Sequence, residues 1–426
     1  MGHLRAAGHL TAGLAALPGL AQPFASTQAA WRFYKNPRVS LQDLSGPLLE
    51  AARAAVPLEC LDYALVIHDW SWLHYSNHPS KHDRVPLAYA KDLGYELQTA
   101  LLVSDQDGQP IAPLCHDLLA AQGVYSTRRQ RVLPPPTKLD RLAPVLRFVH
   151  ELSLGRPAVH IIDREADSVD HYRRWCRQGR LFVIRADDCR RVLCQGQSRL
   201  LPEVVADLLA QGVFADVREV VYHGAKARQW VAQAEVVLDR PGKHKHGTVR
   251  KPGKALRLRL VVAQVRGPDG VLLAQWLLLT NVPADVSAAR VALWYYWRWR
   301  IETYFKLLKG AGLHLEQWQQ ETALAVAKRL AVASMACVLV WRIARSERPE
   351  GQTLRDLLVR LSGRQVRRAD GFTEPALLAG LYVLLNTLAV LEHYDPQELR
   401  RLLDAVLQPV PEPSRLPDPS APLDSG

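Results

Sequence analysis

The segments Tyr63–Asp69, YALVIHD, and Pro157–Asp163, PAVHIID, decide the fold. Each is a short run of aliphatic and β-branched residues that stops at a carboxylate, the pattern of a strand fixed in a core. An aspartate at the end of such a strand projects into the cleft where ligands collect, while the strand itself holds it in place. The segment from Arg164 to Gln178 reads as a helix, so the second unit runs strand, carboxylate, helix. Between the two units, ELQTALLVSD and GQPIAPLCHDLL look like a hairpin about Asp107 and Gly108, followed by a helix.

On either side the pattern changes. Residues 1 to about 60 read as helical and basic, with Trp31, Arg32, Phe33, Tyr34, Lys35 and Arg38 interleaving rings and cations. Residues 181–287 hold five strand-like runs, RLFVIRA, REVVYHG, WVAQAEVVL, LRLRLVVAQV and VLLAQWLLLTNV, interrupted by the basic loop PGKHKHGTVRKPGK. Such a block between helical regions reads as a β insertion into an α/β unit. From Ser287 to Ala344 and from Gln352 to Val406 the signal is helical again. The proline-rich tail, 409–426, lacks the apolar content of a packed segment and is expected to be disordered.

A third acid comes from the run ALWYYWRWRIETYFKLLKGAG, residues 292–312. Read as one helix at about 100° per residue, Tyr295, Arg298, Glu302 and Lys309 fall within a stripe roughly 60° wide. A face with one carboxylate, two cations and a phenol is costly to bury as core, yet Trp294, Trp297, Trp299 and Phe305 surround it. It suits a metal ligand flanked by phosphate binders. Asp69, Asp163 and Glu302 together form the oxygen-only donor set that Mg²⁺ prefers, with Mn²⁺ tolerated, because such an ion keeps waters and substrate phosphate oxygens as its other ligands.

Bulk composition points the same way. With 54 Lys and Arg against 42 Asp and Glu, the chain carries a formal charge of +12, which favours a polyanionic partner. The six cysteines form neither a CxxC pair nor a regular framework and fit a reducing compartment. The apolar run TAGLAALPGLAQ near the start is broken by Pro18 and is followed by no small-residue cleavage site, which argues against a signal peptide. The apolar stretch Leu330–Trp341 is shorter than the ~18 residues needed to cross a bilayer, so it reads as a buried helix, and no membrane is expected. His74, His78 and His82 recur every four residues as zinc ligands on a helix can, with His68 nearby, but Pro79 breaks the helix such a site requires.

These residues resemble a known family. The spacing of Tyr295, Arg298, Glu302 and Lys309 reproduces the Y-x2-R-x3-E-x6-K signature of insertion-sequence DDE transposases of the insertion-sequence-four family. The run IIDREAD, Ile161 to Asp167, resembles that family's second-aspartate motif, HDWSWLHY, His68 to Tyr75, its first, and STQAAWRFYKNPRVS, Ser26 to Ser40, its N-terminal region. The resemblance implies an α/β fold with an RNase H-like catalytic core in two parts, 61–180 and 288–345, split by the β-stranded insertion 181–287. A helical N-terminal region, 1–60, and a helical C-terminal region, 346–408, flank it. Nothing before Ser26 matches the family, so a shortened DNA end-binding domain is expected.

By the same resemblance, Asp69, Asp163 and Glu302 hold the metals, and Tyr295, Arg298, Lys309 and Arg185 touch phosphates at the transposon end. Trp276 stacks on a flipped base. The partners implied are double-stranded DNA, as transposon ends and target, and a second copy of the chain in a synaptic dimer. The location implied is the bacterial cytoplasm, at the nucleoid. Two other readings share these acids: a structure-selective nuclease that cuts without joining, and a DNA-binding transposase derivative without catalysis.

Overall fold

A computed structural model describes residues 23–133, 137–243, 250–251, 253–366 and 371–407. The apolar run 11–22, the tail 409–426 and half of the basic loop 241–254 lie outside them.

The described residues open with two helices, α1 (Pro23–Lys35) and α2 (Leu41–Glu59), the second started by Ser40, whose hydroxyl accepts from the Asp43 amide. Strands β1 (Ala64–His74), β2 (Val85–Pro86), β3 (Leu93–Ser104), β4 (Pro110–Ala120), β5 (Gly123–Ser126) and β6 (Arg129–Leu133) follow. The expected hairpin about Asp107 and Gly108 is the β3–β4 turn, but two further strands separate it from the next helix, α3 (Lys138–Glu151). Then come β7 (Ala158–Ile162), a single 3₁₀ turn at Arg164–Ala166, α4 (Val169–Arg177) and β8 (Leu181–Arg185).

The strand block continues with β9 (Arg191–Cys194), β10 (Gln197–Leu200), β11 (Ala215–Tyr222), β12 (Ala225–Leu238), the short pair β13 (Gly242–Lys243) and β14 (Arg250–Lys251), β15 (Leu256–Arg266) and β16 (Leu272–Thr280). It also contains a helix that strand reading overlooked, α5 (Leu201–Ala210), which begins at a proline and buries Leu201, Val204, Val205 and Leu208. The remainder is helical: α6 (Ala288–Tyr296), α7 (Trp299–Leu308), α8 (Ala323–Arg345), α9 (Pro349–Leu361), α10 (Glu374–Leu391) and α11 (Pro396–Leu407).

Among the described residues, fourteen strands share one sheet. At its centre the order is β8-β7-β1-β3-β4, with β1 parallel to β7, β7 parallel to β8, and β3 antiparallel to both β1 and β4. The strand block joins this centre edge to edge, because β16 pairs antiparallel with β8 through Leu278↔Arg185 and Thr280↔Val183.

Side chains alternate across a strand, so each central strand feeds two cores. Val159, Ile161 and Val183 pack on one face with α2, α6, α7 and α8, while Ile162, Phe182 and Ile184 pack on the other with α3, α4 and α5. Asp163 shares the parity of Val159 and Ile161, and Asp69 that of Leu65 and Ile67, which aims both at the face where α6 and α7 lie.

Two helices are long and apolar enough to pass as membrane spans, α8 and α10. In α8, 78% of the apolar window is buried inside the protein, so core packing accounts for its composition. The entry to β1 is fixed by Asp105, which is 3% exposed and accepts from the backbone amides of Leu61, Asp62 and Tyr63 at 2.7, 3.1 and 3.1 Å. Its carboxylate also receives Arg290 of α6 at 2.7 Å, tying that helix to the strand that carries Asp69.

Candidate active site

Asp69 is not at the end of β1 but inside it, at the residue where the parallel ladder to β7 stops at His68↔Ile162 while the antiparallel ladder to β3 runs on through Asp69↔Thr99. The opening left by β7 lets its carboxylate face the helices. Asp163 follows β7 directly and caps the 3₁₀ turn, its Oδ1 accepting from the Arg164 amide at 2.7 Å. Asp69 Oδ1 accepts from the Trp70 amide at 2.8 Å.

The run 292–312 differs from a single helix. It is two, α6 and α7, joined at Trp297 and Arg298, where Arg298, Arg300 and Ile301 donate to the carbonyls three residues back, of Tyr295, Trp297 and Arg298. This tightened turn carries no proline or glycine of its own. Its partner lies in the β3–β4 turn: Gly108 has a φ of +70°, and a Cβ there would come within 2.4 Å of the Trp297 ring. The indole seats on that glycine and fixes the junction. Lys309 falls just past the end of α7, where a non-helical ψ of −136° turns the chain that follows; its ammonium donates to the Trp72 carbonyl and pairs with Glu316 at 3.4 Å.

The junction delivers Arg298 into the middle of the acids. Its Nη1 lies 2.9 Å from Asp69 Oδ2, and its Nη2 lies 3.1 Å from Glu302 Oε1 and 3.6 Å from Asp163 Oδ2. The Tyr295 hydroxyl donates to Asp163 Oδ1 at 3.2 Å, and Arg185, at the end of β8, approaches the same oxygen at 3.7 Å. Carboxylates from two strands and one helix therefore converge on one guanidinium.

Burial pushes the Asp69 carboxyl up to about 6, against the pull of Arg298 beside it. Burial likewise raises the Tyr295 phenol, helped by the neighbouring Asp163 charge. At Arg298 burial works against the charge, but the Tyr295 oxygen and the three carboxylates outweigh it and raise the group above its ordinary value. Trp276 is 5% exposed, its ring 5.6 Å from that of Tyr295, so it sits directly behind the phenol in this conformation.

Tyr304, two residues beyond Glu302 and so on the other side of α7, anchors the helix from below. Its hydroxyl contacts Ser334 Oγ of α8 at 2.8 Å and His116 Nε2 of β4 at 3.2 Å, and His116 Nδ1 contacts Thr99 Oγ1, the register partner of Asp69, at 3.0 Å. A buried polar chain thus links the strand pair bearing Asp69 to the helix bearing Glu302. After α7 the chain is stitched to the loop behind β1: Glu316 accepts from the His74 amide at 2.9 Å, and Lys81 donates to the Trp318 carbonyl at 2.6 Å.

This stitching also parts His74 and His78, two members of the histidine run. His74 pairs with Asp92 at 2.9 Å, His78 rests edge-on against Tyr75, and His68 is buried against His160 at 2.9 Å. Their rings point to different partners. In the motif IIDREAD, Asp167 holds the local fold: it accepts from the Tyr172 hydroxyl and the Asp187 amide, both at 2.9 Å, and pairs with Arg190.

Beside Asp69 and Glu302 lies an open cleft of about 600 Å³, walled by Trp70, Phe305 and Gly310 and edged by Lys306 and Lys309. Sequence reading overlooked Lys306, although its position four residues beyond Glu302 puts it on the same side of α7.

An oxygen-only set of three acids fits a hard divalent cation in its chemistry. In its present spacing, however, no group of three His, Cys, Asp or Glu among the described residues stands close enough to hold a metal ion. The guanidinium keeps the acids one cation apart.

Residues 137–339 match the family model described as the transposase DDE domain. That stretch contains Asp163, Tyr295, Arg298, Glu302 and Lys309; Asp69 precedes it. No curated protein matches the chain. Over those residues the chain is similar to transposase DDE domains, and the match supports a DDE transposase acting on DNA.

Proposed function

We propose that the protein is a cut-and-paste DDE transposase of the insertion-sequence-four family, in its Y-R-E-K subgroup, that cleaves double-stranded DNA at the ends of its element and joins them to target DNA. The observation that carries this reading is the convergence of Asp69, Asp163 and Glu302 from β1, β7 and α7 on one point. The central strand order β8-β7-β1-β3-β4, with its parallel and antiparallel senses, supports an RNase H-like core. Residues 181–287 then form the insertion, between core parts 61–180 and 288–345, with its first strand, β8, paired to β7 of the core, and with helical regions before and after.

In this reading Asp69, Asp163 and Glu302 would hold Mg²⁺ or Mn²⁺, which when bound activates an attacking oxygen and stabilises the leaving one in an in-line displacement at phosphorus. The chain's own residues do the rest. The Trp70 and Arg164 amides and the Tyr295 hydroxyl orient the two aspartates, each through an Oδ1. Arg298 and Arg185 offer guanidinium forks suited to the phosphate oxygens of a transposon end, and Lys306 and Lys309 edge the cleft through which a strand can pass. Trp276 stacks on a flipped base if its indole leaves the Tyr295 ring. Two copies hold the paired ends, and the protein works at the bacterial nucleoid.

A joining assay tests this against a nuclease that only cuts. Precut ends of the element adjoining the gene, carrying a free 3′-hydroxyl, are incubated with protein, Mg²⁺ and a supercoiled plasmid. Covalent end–plasmid products are expected. Cleavage of uncut ends without any joining of precut ones would make the protein a nuclease.

A further inference from the structure

We propose that Arg298 is the protein's own stand-in for the catalytic cation: without DNA its guanidinium occupies the point among Asp69, Asp163 and Glu302, so a divalent ion binds well only after a DNA phosphate has drawn it away. This rests on the reading that the three acids hold divalent cations.

Arg298 holds the oxygens such an ion would need. Asp69 Oδ1 is taken by the Trp70 amide, and Asp163 Oδ1 by the Arg164 amide and the Tyr295 hydroxyl. The other oxygen of each aspartate, and Glu302 Oε1, are the ones turned to Arg298, at 2.9, 3.6 and 3.1 Å. A guanidinium hydrogen-bonded to Asp69 and Glu302 and ion-paired with Asp163 excludes a cation by occupying the space and by like charge in a setting where the arginine side chain is only 9% exposed.

The arginine is held at its tip. Its Nε is buried without a hydrogen-bond partner and its guanidinium lies over the Tyr295 and Trp299 rings at 5.9 and 5.7 Å, so the carboxylates carry its polar attachment. A phosphodiester is an anion of the same bidentate type, and a planar fork that serves carboxylates serves phosphate equally well. Binding reciprocity then makes the two ligands cooperative: whatever removes Arg298 from the acids strengthens the cation, and the cation strengthens whatever takes Arg298. The free protein is thereby kept from assembling a loaded site away from DNA.

The test uses the full chain without DNA and follows free Mn²⁺ by its paramagnetic resonance signal. Wild type, Arg298→Gln and Arg298→Lys are titrated, each with melting curves, and Asp69→Asn gives the blank. Glutamine removes the charge and should tighten Mn²⁺ binding by a factor of about 5 to 150, the range of typical site-to-site coupling. Lysine, a point charge that cannot place two nitrogens on Asp69 and Glu302 together, should fall between.

With a duplex of the element's end bound, wild-type affinity should rise by a larger factor than that of the glutamine variant, because phosphate ligation adds to both while displacement of Arg298 adds to the wild type alone. A glutamine variant with a native melt that binds Mn²⁺ no tighter than wild type overturns the proposal. If that variant does not fold, the lysine variant decides by the same criterion. If no protein shows a site that Asp69→Asn removes, the metal reading itself falls, and the proposal with it.

Discussion

Acid should weaken this fold through His116, and by a calculable amount. The imidazole is fully buried between β4, α7 and α8, and its nitrogens contact the hydroxyls of Thr99 at 3.0 Å, Ser334 at 3.1 Å and Tyr304 at 3.2 Å. Burial depresses its ionisation from 6.5 to about 3. A depressed value means the unfolded chain takes up a proton first as the pH falls. The stability that neutral His116 contributes is therefore complete above pH ~6.5 and drains away between there and pH ~3.

At pH ~5 the unfolded histidine lies about 1.5 units below its own midpoint while the folded one stays neutral, a loss of about 2 kcal/mol at about 1.36 kcal/mol per unit. His116→Gln keeps a donor and an acceptor but does not titrate. Urea midpoints for both proteins at pH ~7.5 and pH ~5 give a double difference in which His68 and His160, buried in both, cancel. The wild type should lose about 2 kcal/mol more than the variant on acidification. Equal losses would refute the reasoning and mean that His116 is hydrated or already charged in the native state.

Three further outcomes follow from the contacts described. Asp105→Ala strands three backbone amides and Arg290 and should cost about 3 kcal/mol or more of stability by chemical denaturation; a loss below about 1 kcal/mol would show that water replaces the carboxylate. Trp276→Ala should lower stability by about 3 to 5 kcal/mol, with Trp276→Phe retaining most of it. The same variant should slow DNA hairpin formation more than first-strand nicking, and equal loss of both steps would leave the indole with a core role alone. Lys306→Ala should reduce the salt slope of DNA binding by about 1, and an unaltered slope would leave the cleft beside Glu302 outside the DNA path.

Much of the central sheet was legible because its strands are written as apolar runs: ALVIH, AVHII and LFVIR each become a strand at those residues. Two of the three candidate acids, Asp69 and Asp163, stood out for the same reason, since they follow such runs directly, while Glu302 came from helical spacing. What the sequence hid is tertiary. No proline or glycine marks the break between α6 and α7; the Trp297 ring on Gly108, far away in the chain, accompanies it, and one helix was the natural reading.

The same break decides the role of Arg298. On a continuous helix it is one cation of a stripe, whereas the tightened turn brings it to three carboxylates at once. Nor could periodicity show that Val66 and His68 stand opposite His160 and Ile162, the register that stacks two neutral histidines beneath the acids. The helix α5 was a different omission. Its signals, a proline in the first turn and Glu203 reaching back to the Leu200 amide, were present in a stretch read only for strands.

The central claim is that Asp69, Asp163 and Glu302 together make the site of DNA cleavage. It is tested most directly by incubating end-labelled duplex from the element's boundary with Mg²⁺ and each of Asp69→Ala, Asp163→Ala and Glu302→Ala, with thermal melts and end-binding measured alongside. Each variant should melt as a folded protein, bind the end and cut nothing, while the wild type cuts at the boundary. Cleavage at the wild-type rate by any one of the three would contradict the claim.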